Sequence, residues 1–302
     1  MAYFSDGLLN VKMFVPYVER LLLNNTHGLR AATNNKGIIT GNQIRFPLGD
    51  SDGMAKAITK GSPIVPEDVI VSDTTATITN YEASCRIYPQ DLAATNSEAS
   101  IRQIAAEKVY NSMENRFTQC VLDALAQYDD TNMEVGSAST AFTVSLLDQI
   151  NLKANNAYWG NGNKFMLLPH EAQYTLMQDS KFYEIWSLVN GKSMIDNMGK
   201  TTDDDLSIKW TPYRGFYIGF MGKKTTSNQV GLPVASDTSL MGYAWKANRV
   251  GFGMNQGLET RISIMDQFEG NPLVFKTNGS CGSCIIDTKG VIGIKLDATP
   301  LS

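Results

Sequence analysis

Cys281-Gly-Ser-Cys284 is the pattern in this chain with the most chemistry to offer. Two thiolates three residues apart can share a tetrahedral zinc ion, but a structural zinc site takes four ligands. The other thiols, Cys85 and Cys120, stand alone in the sequence, with no second pair and no nearby histidine. A redox role needs a strand-to-helix turn that lowers a thiol pKa, whereas this motif precedes a strand and a hairpin. Three readings stay open: small buried or turn residues, a disulfide, or metal ligands. Asp203-Asp204-Asp205 clusters carboxylates that could hold a divalent cation, although a solvated loop is the commoner outcome. Asp129-Asp130 follows a long helical run, where the helix dipole disfavours acid, so a turn is expected there. Only two histidines exist. His27 lies in a polar Asn-Thr-His-Gly turn, and His170 follows Pro169 at a helix start.

No glycine-rich phosphate loop, H-E-x-x-H pair or dinucleotide fingerprint occurs, and no G-x-S-x-G elbow occurs. No catalytic, cofactor-binding or metal-binding residue is therefore assigned, no cofactor is expected, and the chain is not expected to be an enzyme. The bulk properties agree. The 302 residues are 43% hydrophobic and 19% charged, enough apolar content for one or two sizeable cores. A net charge of −4, from 26 basic and 30 acidic residues, offers no polybasic stripe for gripping phosphates. Four cysteines make no disulfide framework. The amino terminus lacks the charged and apolar regions of a secretory leader, and no apolar stretch approaches the ~20 residues that span a bilayer. A soluble chain made in the cytosol is expected.

The elements that position these residues are legible from periodicity. Val11 to Leu23 carries apolar residues at helical spacing but is interrupted by Pro16. Such an arm cannot bury its apolar face alone and needs the rest of the fold or a neighbour. Gln43 to Leu48 alternates, with Ile44, Phe46 and Leu48 on one face, and Pro47 marks an edge. Gly49 to Pro66 reads as a long exposed excursion. Its scattered charges (Asp50, Asp52, Lys56, Lys60, Glu67, Asp68) suit either a neighbour's complementary surface or simple solubility. Loops longer than ~12–15 residues are usually functional or disordered, and a lone two-stranded ribbon is marginal. Thr75, Thr77 and Thr79 oppose Ala76 and Ile78, and Tyr81, Ala83, Cys85 and Ile87 share a face.

The strongest local signal is a helix from about Ser97 to Tyr128, with Asn96 or Ser97 as cap and neither Gly nor Pro inside it. Ile101, Ile104, Ala105, Val109, Met113, Phe117, Cys120, Val121 and Leu125 form its stripe, and its length is on the order of 45 Å. One-sided burial over that length predicts a sheet laid along it. Ala141 to Val250 reads as α/β. Thr143 caps a helix carrying Leu146, Leu147, Ile150 and Leu152. Lys164 to Leu168 is an apolar strand, His170–Gln178 and Phe182–Val189 are helical, and Gly215 to Met221 is a buried strand before a polar loop, Gly222 to Gly231. After Asn248 the pattern turns to β. Arg261, Ser263 and Met265 oppose Ile262 and Ile264, and Leu273–Phe275 is a short strand. Ile285-Ile286 and Val291–Leu296 flank a turn at Asp287-Thr288-Lys289-Gly290. A terminal hairpin pairing with Tyr81–Tyr88 is expected.

This order of elements, with Tyr81-Glu-Ala-Ser-Cys-Arg-Ile-Tyr leading into the long helix, Phe165-Met-Leu-Leu-Pro, Gly215-Phe-Tyr-Ile-Gly, Ala244-Trp-Lys-Ala-Asn-Arg-Val-Gly-Phe-Gly and Lys289-Gly-Val-Ile-Gly-Ile, resembles the major capsid protein of tailed bacteriophages of the Hong Kong 97 type. The resemblance covers nearly the whole chain and rests on element order, because the family has no short diagnostic motif. It implies an α+β fold: an N-terminal arm (1–36), an extended β-hairpin loop (37–80), a peripheral β-sheet domain with a spine helix (81–141 and 262–302), and an axial α/β domain (142–261). It implies hexamers and pentamers of this chain in an icosahedral shell around double-stranded DNA. Portal and scaffolding proteins would be partners, the DNA contact weak and non-specific, and no membrane involved. The protein would be synthesised in the host cytoplasm and end in the virion. Some members cross-link loop lysines to asparagines, for which Lys56 and Lys60 are possible donors with no acceptor identified. An encapsulin-type shell enclosing an enzyme cargo is the alternative reading, and a cytosolic α/β enzyme the third. Deleting Met1–Lys36 is expected to impair assembly more than folding.

Overall fold

Both periodicities of the sequence become elements that share one body. The computed structural model describes residues 29–49, 71–88, 98–128, 133–160, 162–182, 208, 210–225, 230–233, 240–254, 259–264 and 272–297. In chain order the elements are β1 (Ile38–Thr40), β2 (Gln43–Gly49), β3 (Val71–Thr77), β4 (Thr79–Ile87), α1 (Glu98–Leu125), β5 (Glu134–Gly136), α2 (Val144–Asn156), β6 (Lys164–Pro169), α3 (His170–Gln178), β7 (Thr211–Tyr213), β8 (Phe216–Met221), β9 (Leu240–Lys246), β10 (Val250–Met254), β11 (Glu259–Ile264), β12 (Leu273–Ile285) and β13 (Val291–Leu296). The result is α+β.

The long helix forms where the uninterrupted stripe predicts it. Its 28 residues run about 42 Å, and Ala105, Val109, Met113, Phe117, Val121 and Leu125 are all buried. Ile104 departs from the expectation at 62% exposed. The stripe passes through Ala105, one residue on, which turns Ile104 outward. α1 lies on a four-stranded sheet whose spine is β12. β4 pairs antiparallel along one edge of β12, with Phe275 opposite Cys85 and Gly279 opposite Tyr81. β11 and β10 share the other edge in succession, Ile262 opposite Phe275 and Gly251 opposite Cys284.

A six-stranded sheet, in the order β5-β13-β9-β6-β8-β7, occupies the middle of the fold. Phe165-Met-Leu-Leu reads as a continuous apolar run because this sheet is covered on both faces. Phe165, Leu167, Tyr243, Trp245 and Val291 belong to the core beneath α1. Met166, Leu168, Ala244, Ile292 and Ile294 belong to a second core with α2 and α3. Thr143 caps α2 as its type predicts, its hydroxyl accepting from Leu146 N–H at 3.3 Å, and Leu147 and Ile150 are buried. Leu152 is 62% exposed and does not join the buried face expected of it.

Three expectations need correction or relocation. The turn at Asp287–Gly290 forms, with the Asp287 carboxylate accepting from Lys289 N–H at 3.0 Å, but it does not close a hairpin. Among the described residues β12 stays in the four-stranded sheet, while β13 pairs with β9 and β5 in the other, so the turn passes the chain between sheets. The contact with the Tyr81 strand is made by β12 alone. Leu273–Phe275 is only the start of a 13-residue strand. The amphipathic segment Val11–Leu23, the excursion beyond Gly49 and the helix expected after Phe182 lie outside the described residues, as do His27, Lys56, Lys60, Asp129-Asp130 and Asp203–Asp205.

Candidate functional site

The strands on either side of residues 50–70 belong to a three-stranded sheet, β1-β2-β3, and the seat of that sheet is built from glycines. Ile44 and Phe46 of β2 are buried with Ala76 of β3 and Ile286, so the predicted alternation holds. Val250-Gly-Phe-Gly-Met supplies the receiving surface. Strand alternation sends Val250 and Phe252 into the core under α1, where Phe252 meets Phe117 edge-on at 6.1 Å between centroids. Gly251 and Gly253 face the other way. A Cβ on Gly251 would stand 2.5 Å from the Phe46 ring, and one on Gly253 would stand 2.4 Å from Ile44 Cδ1. Only glycine lets β2 come this close. Pro47 lies beyond the reach of β1, which covers only Gln43 to Arg45, so at Pro47 β2 has β3 alone as a partner strand and tolerates the missing donor. Thr74 Oγ1 also donates to the Ile286 carbonyl at 3.2 Å.

The root of the N-terminal segment is built into the same body. Leu29–Ala32 is a 3-10 turn against α1. The Arg30 guanidinium meets the Glu114 carboxylate at 2.6 Å with both side chains largely buried, and lies 5.3 Å from the Phe117 ring centre. Trp245 Nε1 donates to the Ala32 carbonyl at 2.8 Å. Asn34 N–H donates to the Val250 carbonyl, and Phe252 N–H donates back to the Asn34 carbonyl. Leu29, Arg30, Ala32 and Thr33 are thus buried in the body of the fold.

The thiols separate where the sequence suggested they might join. Cys281 and Cys284 are both free and sit three positions apart on one strand, hence on opposite faces and ~10 Å apart along it. Cys281 enters the α1 core, and Cys284 packs under the excursion root. Burial pushes Cys284 up to about 11. Cys281 shares the α1 core with Cys120. Sequence spacing carries no signal for a pair so far apart in the chain. His170 is exposed at the start of α3. Among the described residues no three His, Cys, Asp or Glu side chains are grouped to hold a metal. Glu134, not singled out in the sequence, is a hub: it receives Lys295 at 2.8 Å and the Tyr128 hydroxyl at 3.0 Å. Burial first, and that hydrogen bond second, raise Tyr128 above the ordinary phenol range. Tyr128 in turn lies over Gly293, where a Cβ would come within 2.1 Å of its ring.

No family model matches the chain, and no curated protein matches it in sequence. Solved structures do match. The capsid of Ralstonia phage GP4 superposes with a TM-score of 0.65 at 11% identity, covering 90% of this chain and 89% of that one. The chain has the fold of phage capsid subunits. The acid-stable capsid of Helicobacter pylori bacteriophage KHP30 gives a TM-score of 0.62 at 12% identity over 89% of both chains. The head of Helicobacter pylori bacteriophage KHP40 gives 0.61 at 13%, covering 90% of this chain and 89% of that one. At 11–13% identity the likeness is one of overall fold. Among the described residues no helix is long and apolar enough to cross a membrane.

Proposed function

We propose that this chain is the major capsid protein of a tailed bacteriophage, assembling as hexamers and pentamers into an icosahedral shell around double-stranded DNA. The observation that carries the reading is reciprocal coverage: phage capsid subunits align with about nine-tenths of this chain and about nine-tenths of their own length. A domain shared by chance with a larger enzyme would not align end to end. In this reading 1–36 is the N-terminal arm, 37–80 the extended loop, 81–141 with 262–302 the peripheral domain, and 142–261 the axial domain. Contacts between copies hold the shell, with the DNA touched weakly, as the net charge of −4 suits. Portal and scaffolding proteins are its expected partners in the virion. Electron microscopy of the purified chain tests this. Rings of five or six copies, or closed shells, are expected. A monodisperse monomer across the concentrations used for assembly would overturn it, and shells that enclose protein in place of DNA in the source particle would favour the encapsulin alternative.

A further inference from the structure

Three loops meet at one end of the six-stranded sheet and bring together cations that lie far apart in the sequence. Ala247 N–H donates to the Asn163 carbonyl at 3.1 Å, and Ile286 N–H donates to the Arg249 carbonyl at 2.8 Å. Trp159 Nε1 donates to the Lys289 carbonyl at 2.8 Å. These bonds gather Lys164, Lys246, Arg249 and Lys289 at one corner of the fold. Lys164 stands directly opposite Lys246 in the antiparallel pair of β6 and β9. Their side chains therefore leave the same face of the sheet, with Cβ atoms ~5 Å apart. Like charges placed so destabilise a sheet. Among the described residues neither lysine makes an ion pair, and the acid of this corner, Asp287, meets Arg249 at 2.6 Å. Lys164 Nζ donates to Asn155 Oδ1 at 3.4 Å, which leaves its charge uncompensated. The stem of Lys246 is laid over Gly162, where a Cβ would stand 2.8 Å from Cε. Burial first, then Arg249 and Lys164, lower Lys246 below the ordinary lysine range. The empty corner lacks an anion.

We propose that this corner binds phosphate groups, with Lys164 and Lys246 gripping one phosphate between them and Arg249 and Lys289 adding flanking charge. A lysine ammonium brings three donors and no acceptor, and it binds phosphate as a point charge. A phosphate spreads its charge over several oxygens, so a single group accepts from both ammoniums at once and removes their mutual repulsion. Two sources share this chemistry: the backbone of a DNA duplex and a free polyphosphate. The site does not depend on the shell reading, whereas a duplex as its natural occupant rests on that reading. Few phosphates are neutralised, so the contact is weak and falls with salt, in keeping with a chain of net charge −4. No basic run in the sequence marks the site. Only the register of β9 on β6 and the bonds between the loops join its residues.

The test titrates the full-length chain with a short fluorescent DNA duplex and, separately, with inorganic tripolyphosphate, while sedimentation of the same samples records assembly. The double variant Lys164→Gln/Lys246→Gln keeps both aliphatic stems and removes both charges. Its affinity for the duplex should fall on the order of tenfold at ~50 mM salt, and the slope of log affinity against log salt should shrink by ~2. Lys289→Gln, at an exposed position, should shrink the slope by ~1. Lys224→Gln, past the opposite end of β6 and β8, should change neither. Tripolyphosphate should raise the Tm of the natural chain and leave that of the double variant unmoved. Without ligand the double variant should melt no lower than the natural chain, because the opposed charges are gone. Binding of the duplex assigns the site to a DNA backbone, and binding of tripolyphosphate alone assigns it to a free polyphosphate. Binding of neither, or binding unchanged in the double variant, would overturn the proposal. So would a loss equalled by Lys224→Gln, a double variant that melts lower, or polyglutamate competing as well as tripolyphosphate. Shells that form from a chain unable to bind would strike this site alone, whereas a chain that binds but stays monomeric would strike the shell reading alone.

Discussion

At the scale of single residues, Gly253 has the sharpest consequence. Its missing Cβ is the space occupied by Ile44 Cδ1, and the contact sits where the excursion root meets the body. Gly253→Val forces Ile44 off its rotamer or lifts β2, a change of the overpacking kind that costs ~1–3 kcal/mol. Urea denaturation should show that loss. Amide exchange should speed at Ile44 and Phe46 more than in α1, and uniform exchange across both would argue against a local seat. Alkaline pH acts on a neighbouring residue. Unfolded Cys284 ionises near ~8.5, but in the folded chain burial delays ionisation to about 11. The folded state then holds the proton longer than the unfolded state, so this contribution is full below ~8.5 and is lost as pH rises toward 11. The urea midpoint should fall between pH 8 and pH 10.5, and fall less in Cys284→Ala. Equal slopes in the two proteins would remove Cys284 from the account.

At the scale of elements, α1 divides its residues between two jobs. Phe117 is fully buried beneath it, against Phe252 and Arg30, and Phe117→Ala should cost ~3–5 kcal/mol by cavity formation. Ile104, turned outward, should tolerate Ile104→Ser within about 0.5 kcal/mol. In the capsid reading its exposed side chain is available to a second copy, so Ile104→Ser should lower the assembled fraction in sedimentation while leaving the melting curve unmoved. A large loss of stability would place Ile104 in the core instead. Helical spacing made α1, α2 and α3 legible because it is local, helped in α2 by Thr143, which bonds three residues on, and His170–Gln178 forms between the expected bounds. β12 was not legible beyond Phe275. Its second half, Asn278-Gly-Ser-Cys-Gly-Ser-Cys, has little β-propensity, and it is a strand because β4, β11 and β10 supply ladders on both edges. The false hairpin has the same origin. Asp287–Gly290 encodes a turn, and which sheet receives β13 is decided by Tyr243, Trp245 and the other residues of β9 opposite it, far away in sequence. The glycine seat could have been found only by reading Val-Gly-Phe-Gly as an alternation of filled and empty positions.

At the scale of the whole molecule, the boundary between arm and body decides how assembly can be separated from folding. A cut after residue 36 takes more than an arm. It removes Leu29 from the core, the carbonyl that receives Trp245, the backbone pair between Asn34 and β10, and the partner that Glu114 meets at 2.6 Å. Breaking a buried ion pair from one side alone costs ~3–5 kcal/mol, a large share of the ~5–15 kcal/mol that holds a typical domain. A chain lacking residues 1–36 should therefore melt many degrees lower, and its failure to assemble would say nothing about contacts between copies. A chain lacking only residues 1–28 keeps Arg30, Ala32 and Asn34. Its thermal transition should stay within a few degrees of the full chain, so any loss of pentamers, hexamers or shells in sedimentation can be assigned to the removed segment. Equal melting of the two truncations would show that the Arg30–Glu114 root contributes nothing to the subunit. Assembly at full yield without residues 1–28 would show that the shell closes on contacts made by the described body and the excursion alone.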